Sequence, residues 1–134
     1  MSKKINFVLN DQFKENFLCK KETKNTMSFL PKHPFLIDLG YLYITFKTNE
    51  LRDNLYLYDL KNFSEISFVI NENYNKEKFV AIIIKSNSSV YFSLNRSLIL
   101  DEYDFEIIFE NNEGTYGITI NICKCKEENC CIKF

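Results

Sequence analysis

From Phe35 onward, apolar and polar residues follow one another in runs too short for helices, each closed by an Asn, Asp, Ser or Gly cluster. The runs FLIDLGYLYITFKT, NLYLYDL, EISFVINEN, KFVAIIIKS, SVYFSLN, YDFEIIFE and TYGITINICKC, with CCIKF as a short last one, are rich in β-branched and aromatic residues. Such side chains fill a pleated surface well, and runs of this length fit strands. The sharpest case is a hairpin. Tyr103, Phe105, Ile107 and Phe109 alternate on one run, and Tyr116, Ile118, Ile120 and Ile122 on the next. Between them Asn111-Asn112-Glu113-Gly114 is turn chemistry, with Gly114 free to adopt positive φ. Phe79 to Ile84 is apolar on both faces, which predicts a strand covered on both sides, central in a sheet or against a partner. The class that follows is all-β: a single-domain antiparallel β-sandwich.

Residues 1–34 read as less regular than the strand-rich core over 35–134. NDQFKENFLCKK predicts either one short helix capped by Asn10 or Asp11, with Phe13, Phe17 and Leu18 on one face, or two short strands starting at Ile5. LPKHPF predicts an extended connector, since Pro31 and Pro34 fix their own φ and hold Leu30 and His33 away from the helical region.

Composition changes the picture mainly by what it removes. In 134 residues, 46% hydrophobic with 16% aromatic is enough for one core and speaks against long disorder. Seventeen Lys and Arg against 18 Asp and Glu, a net charge of −1, leave no global field to gather nucleic acid or an anionic membrane. Lys3-Lys4, Lys20-Lys21-Lys24 and Lys47 with Arg52 are local basic patches, but no RNP-like motif joins them to the tyrosines, so no nucleic-acid partner is expected. The preference for Asn, Lys, Ile and Phe over Gly, Pro and Ala follows AT-rich codons and reports on a genome rather than a function. The basic start MSKKINFVLNDQF lacks the apolar run of a signal peptide, and no window is long enough to span a bilayer. The expected setting is intracellular, cytoplasmic or nuclear, and reducing.

That setting frames the cysteines, four of which fall within CKCKEENCC, Cys123 to Cys131. Thiols or metal ligands are then expected in preference to a disulfide framework. Strand alternation puts Cys123 and Cys125 on the face of Thr119 and Asn121, and a KEEN loop would bring Cys130 opposite Cys125, with Cys131 turned away. Three thiols on one face could hold zinc or copper, with Cys19 or His33 as a fourth ligand. The spacing C-x-C-x4-C-C lacks the paired C-x2-C knuckles of structural zinc sites, however, so small apolar residues ending a strand are the preferred reading. Cys131 to Phe134 also satisfies the C-a-a-X prenylation pattern, although Lys133 occupies a position that favours an aliphatic residue. No cofactor is therefore expected; zinc on Cys123, Cys125 and Cys130 is the alternative.

Catalytic signals are sparse. His33 is the single histidine, and no nucleophile elbow, P-loop, dinucleotide fingerprint or zincin motif occurs. Three glycines cannot form a phosphate cradle, and the acids Asp101, Glu102 and Asp104, or Glu127 and Glu128, sit where solvated turns are expected. An enzyme is not the expected class.

A protein partner is. NLYLYDL sets Leu55 and Leu57 on one face against Tyr56 and Tyr58 on the other, and LGYLYITF sets Leu42 and Ile44 against Tyr41 and Tyr43. Tyr41, Tyr43, Tyr56 and Tyr58 are the candidate interface, because a small domain has few means of covering both faces of such strands. The alternative is a sandwich whose outer tyrosines simply meet water. The stretch LDEYDFEIIFENNEGTYGITINI resembles the last hairpin of nucleoplasmin-like chaperone cores, which are pentameric β-sandwiches, but the acidic tract those chaperones use for histones is not in this sequence. Jelly-roll, immunoglobulin-like and nucleoplasmin-like topologies all fit the pattern. The expected function is a non-catalytic protein-protein interaction module, an accessory or structural subunit of a larger intracellular assembly, binding another protein or itself. A metal- or thiol-bearing module and a small β-fold enzyme are the alternatives.

Overall fold

The structure, a computed structural model, describes residues 7–23, 25–47, 52–72, 78–87, 90–93 and 103–124. The elements in chain order are β1 (Phe7–Leu9), α1 (Asp11–Asn16), β2 (Phe17–Glu22), β3 (Thr26–Pro31), a 3-10 turn (Pro34–Leu36), β4 (Gly40–Lys47), β5 (Arg52–Leu60), β6 (Glu65–Glu72), β7 (Lys78–Lys85), β8 (Val90–Ser93), β9 (Tyr103–Asn112) and β10 (Thr115–Lys124). They form two five-stranded sheets, sheet A in the order β1-β9-β10-β4-β5 and sheet B in the order β2-β3-β6-β7-β8. The expected all-β sandwich is the architecture found. Most neighbours run antiparallel, while β1 with β9 and β10 with β4 run parallel. Both parallel pairs arise because the β9–β10 hairpin enters sheet A between strands from much earlier in the chain, and parallel neighbours need long connections.

The core is the set of inward positions that the alternation predicts. Leu42, Ile44 and Phe46 of β4, Phe105, Ile107 and Phe109 of β9, and Ile118, Ile120 and Ile122 of β10 are buried from sheet A. Ile66, Phe68, Ile70, Val80, Ile82 and Ile84 meet them from sheet B. β7 is flanked by β6 and β8, and Ala81 on its other face is also buried, as a run without a polar face requires.

The N-terminal segment is built into both sheets. Both expectations for NDQFKENFLCKK hold in part, since a six-residue helix lies between two strands. α1 turns the chain from sheet A to sheet B and buries Phe13, whose ring stacks on Phe17 at 4.5 Å and meets Phe29 edge-on at 4.8 Å. Phe17 in turn meets Phe109 edge-on at 5.2 Å, joining the two sheets. A six-residue helix is too short to persist on its own, so this aromatic packing holds it.

The connector differs from its expected form in its second half. His33 is extended, as a residue before proline should be, but Pro34 opens a 3-10 turn that buries Leu36, and Ile37 is in the right-handed helical region. The run from Phe35 therefore becomes a strand only at Gly40, which has φ of 74°.

The β9–β10 turn is tighter than the sequence suggests. Asn112 pairs with Thr115, leaving Glu113 (φ 52°) and Gly114 (φ 86°) as the central pair of a two-residue hairpin with both φ positive. Asn111 Oδ1 accepts from the Gly114 N–H at 3.2 Å. Glutamate is strained in the left-handed region, where asparagine is tolerated, so Glu113→Asn is expected to raise stability by about 0.5–1 kcal/mol. A chemical-denaturation midpoint that rises with an unchanged m-value checks this.

Candidate functional site

Inward alternation on β4 and β5 turns the opposite residues outward. Tyr41, Tyr43 and Tyr56 are 51%, 38% and 52% exposed on the outer face of sheet A. Tyr43 lies opposite Tyr56 in the β4–β5 register, with their rings edge to face at 5.1 Å, and Tyr41 stacks on Tyr43 at 6.3 Å. Three of the four tyrosines expected at an interface thus form one connected aromatic surface. Tyr58 is in β5, and its side chain lies outside the described residues.

This surface adjoins the most open strand edge among the described residues. Sheet A ends at β1 and β5, and sheet B at β2 and β8. β1 and β8 have three and four residues, and β2 carries Lys20 and Lys21 with a break in register between Cys19 and Lys21. Short, charged or bulged edges resist further pairing. β5 has nine residues and keeps unbroken register with β4 over the six from Arg52 to Leu57, with a register shift only beyond Leu57.

Across the same face, Gly117 of β10 lies between Glu110 of β9 and Tyr43 of β4. The missing side chain leaves a shallow cleft of about 210 Å³, bounded by Tyr43, Thr45, Arg52, Glu110, Asn112 and Thr119. The cleft is not legible in the sequence. Its one signal is a glycine inside an otherwise regular strand pattern, and the parallel β10–β4 pairing that completes the walls has no local trace in the sequence.

Two buried carboxylates lie on strand faces turned away from the core. Glu65 of β6 accepts from Lys20 Nζ at 2.7 Å and from Lys85 Nζ at 3.2 Å. Hydrogen bonding from Lys20 is the largest influence on Glu65 and, with Lys85, lowers its pKa against the opposing effect of burial. Ser67 Oγ, 2.8 Å from Ser28 Oγ, also donates to Glu65, at 3.4 Å. Glu106 of β9 is 1% exposed; its Oε1 accepts from Asn121 Nδ2 at 3.1 Å, while its Oε2 has no hydrogen-bond partner among the described residues. Burial raises the Glu106 pKa, with the Asn121 hydrogen bond opposing.

Of the candidate metal ligands, Cys123 occupies the β10 position opposite Asp104, two pairings beyond Asn121 and Glu106. Its side chain, together with all of Cys125, Cys130 and the C-a-a-X tail at Cys131, lies outside the described residues. Cys19 is exposed on β2 with a free thiol. His33 Nε2 is 3.1 Å from the Glu15 carbonyl oxygen, and the imidazole stacks on Phe35. Among the described residues, no helix is long and apolar enough to cross a membrane. No known protein family, curated protein or solved structure matches this chain.

Proposed function

We propose that this chain is a non-catalytic protein-protein interaction module, an accessory or structural subunit of a larger intracellular assembly, docking through the β4–β5 margin of sheet A. One observation carries the reading: Tyr41, Tyr43 and Tyr56 form a ring-on-ring surface beside a nine-residue edge strand. Tyrosine is suited to docking, because its ring buries a large area at a small entropic cost while the hydroxyl keeps a polar contact. Main-chain groups along β5 can add hydrogen bonds to a partner strand. The nearly balanced charge then sets orientation rather than strength.

The test is native mass spectrometry of the protein purified from its own source, beside the Tyr41→Ser and Tyr56→Ser variants. The expected result is a defined complex or oligomer, with each substitution weakening it at least ~10-fold while far-UV circular dichroism stays unchanged. A wild-type protein that runs as a bare monomer sinks the proposal.

A further inference from the structure

The fold does not require glycine at position 117. Gly117 sits inside β10 and, unlike Gly40 and Gly114, has no positive φ. A Cβ built there would meet nothing closer than the Tyr43 carbonyl oxygen at 3.8 Å, an ordinary van der Waals contact. Glycine within a strand is less stabilising than alanine, and it often marks a place where a ligand approaches the backbone. The empty position is the floor of the cleft between Glu110 and Tyr43.

The walls select the chemistry of the occupant. Arg52 and Glu110 have opposite charges, so neither an anion nor a cation meets a site of one sign. The side chains of Arg52, Glu110, Asn112 and Thr119 make no hydrogen bond or ion pair with another described residue. An apolar knob from a protein would strip water from these groups and leave them unpaired, which disfavours it. A polyol reverses that cost, because each hydroxyl both donates and accepts. Planar carboxylate, amide and guanidinium groups can each engage two neighbouring hydroxyls. The Tyr43 ring, held by Tyr41 and Tyr56, supplies a flat apolar wall for a C–H face. The cleft is smaller than the pockets of drug-sized ligands, at the scale of one ring.

We propose that the Gly117 cleft binds one neutral pyranose ring, its C–H face on Tyr43 and its hydroxyls shared among Glu110, Asn112 and Arg52. This site shares Tyr43 with the proposed docking surface but is floored by Gly117, outside that surface, and it adds a second ligand class to the same face of sheet A.

The experiment is an amide chemical-shift titration of the whole chain with glucose, galactose, mannose and N-acetylglucosamine, each free and as its methyl glycoside. At least one sugar is expected to give saturable shifts at Tyr43, Gly117 and Thr119. Equal binding of the methyl glycoside identifies the end of a glycan as the ligand, and loss on methylation identifies a free sugar. Gly117→Val fills the floor with a residue that strands favour, and is expected to weaken binding at least tenfold. Gly117→Ala serves as the milder fill, with an unfolding midpoint expected above wild type. No saturable shift with any of the eight probes, or an equal response from a folded Gly117→Val, overturns the proposal. The mass of any protein complex is expected to be the same in Gly117→Val, so failure of sugar binding and failure of protein docking are read separately.

Discussion

Asn10→Ala is expected to destabilise the protein by about 3 kcal/mol, more than any other single polar substitution discussed for this chain. Asn10 is buried at the junction of β1 and α1, where its amide serves two elements at once. Oδ1 accepts from the Phe13 N–H at 2.9 Å, capping the helix, and from the Phe109 N–H at 3.0 Å, while Nδ2 donates to the Phe109 carbonyl at 3.1 Å. The side chain thus continues the parallel β1–β9 ladder one step beyond Leu9, in the place of a backbone amide. Alanine removes a cap worth about 0.5–2 kcal/mol and leaves the Phe109 amide groups unpaired at about 1–3 kcal/mol each, with the sum reduced by partial rehydration. Asn10→Asp keeps the acceptor but loses the donor to Phe109, and is expected to fall between wild type and alanine. Urea unfolding of the three proteins measures the order. A loss below about 1 kcal/mol for Asn10→Ala would make it a helix cap alone.

That junction shows where the sequence is legible and where it is not. Asn10 as a cap follows from local chemistry, because Asn before Asp-Gln-Phe is a start signal that acts within three residues. Its bond to Phe109 spans 99 residues and leaves no local mark. The strands follow the same division. β9 and β10 are visible because period-two alternation and turn residues are local; β4 to β6 share that quality, and β7 is visible as a short run apolar on both faces. β3 has no such local signal: TMSFLP contains only Met27, Phe29 and Leu30 as large apolar residues, and Pro31 closes it, so its strand state depends on pairing with β2 and β6. The parallel β10–β4 pair is likewise set by tertiary packing alone.

The candidate surface divides in the same way. The outward tyrosines were legible, since a leucine or isoleucine at alternate positions of β4 and β5 fixes which face meets the core. Their ring contacts need the register, because a slip of one residue would separate Tyr43 from Tyr56 and turn one of them to the opposite face. Gly117 looks from sequence like a weak point in a strand. It reads as a cleft floor only when Glu110 and Tyr43 are known to flank it.

Glu106→Gln is expected to stabilise the protein by about 2 kcal/mol at pH 7, and by progressively less as the pH falls. Glu106 is buried with no partner for one oxygen among the described residues, so its charged form is desolvated without full compensation, which is why its pKa is raised from 4.5. A carboxyl with a higher pKa folded than unfolded is held more tightly as the acid in the native state. Stability is then highest below the unfolded pKa, falls as pH rises toward the raised folded pKa, and stays reduced above it. Glutamine keeps the acceptor for Asn121 and cannot ionise, so the two proteins should converge in acid, where both carry a neutral group. Glu65 acts in the opposite direction: its lowered pKa adds stability above 4.5 that is lost as pH falls through the folded value. The wild-type pH curve therefore mixes two contributions of opposite sign, whereas the difference between wild type and Glu106→Gln retains only that of Glu106. Urea unfolding of both proteins across the acid range gives that difference. If it does not change with pH, the Glu106 carboxylate is not destabilised by its burial, and its second oxygen must have a partner in solution.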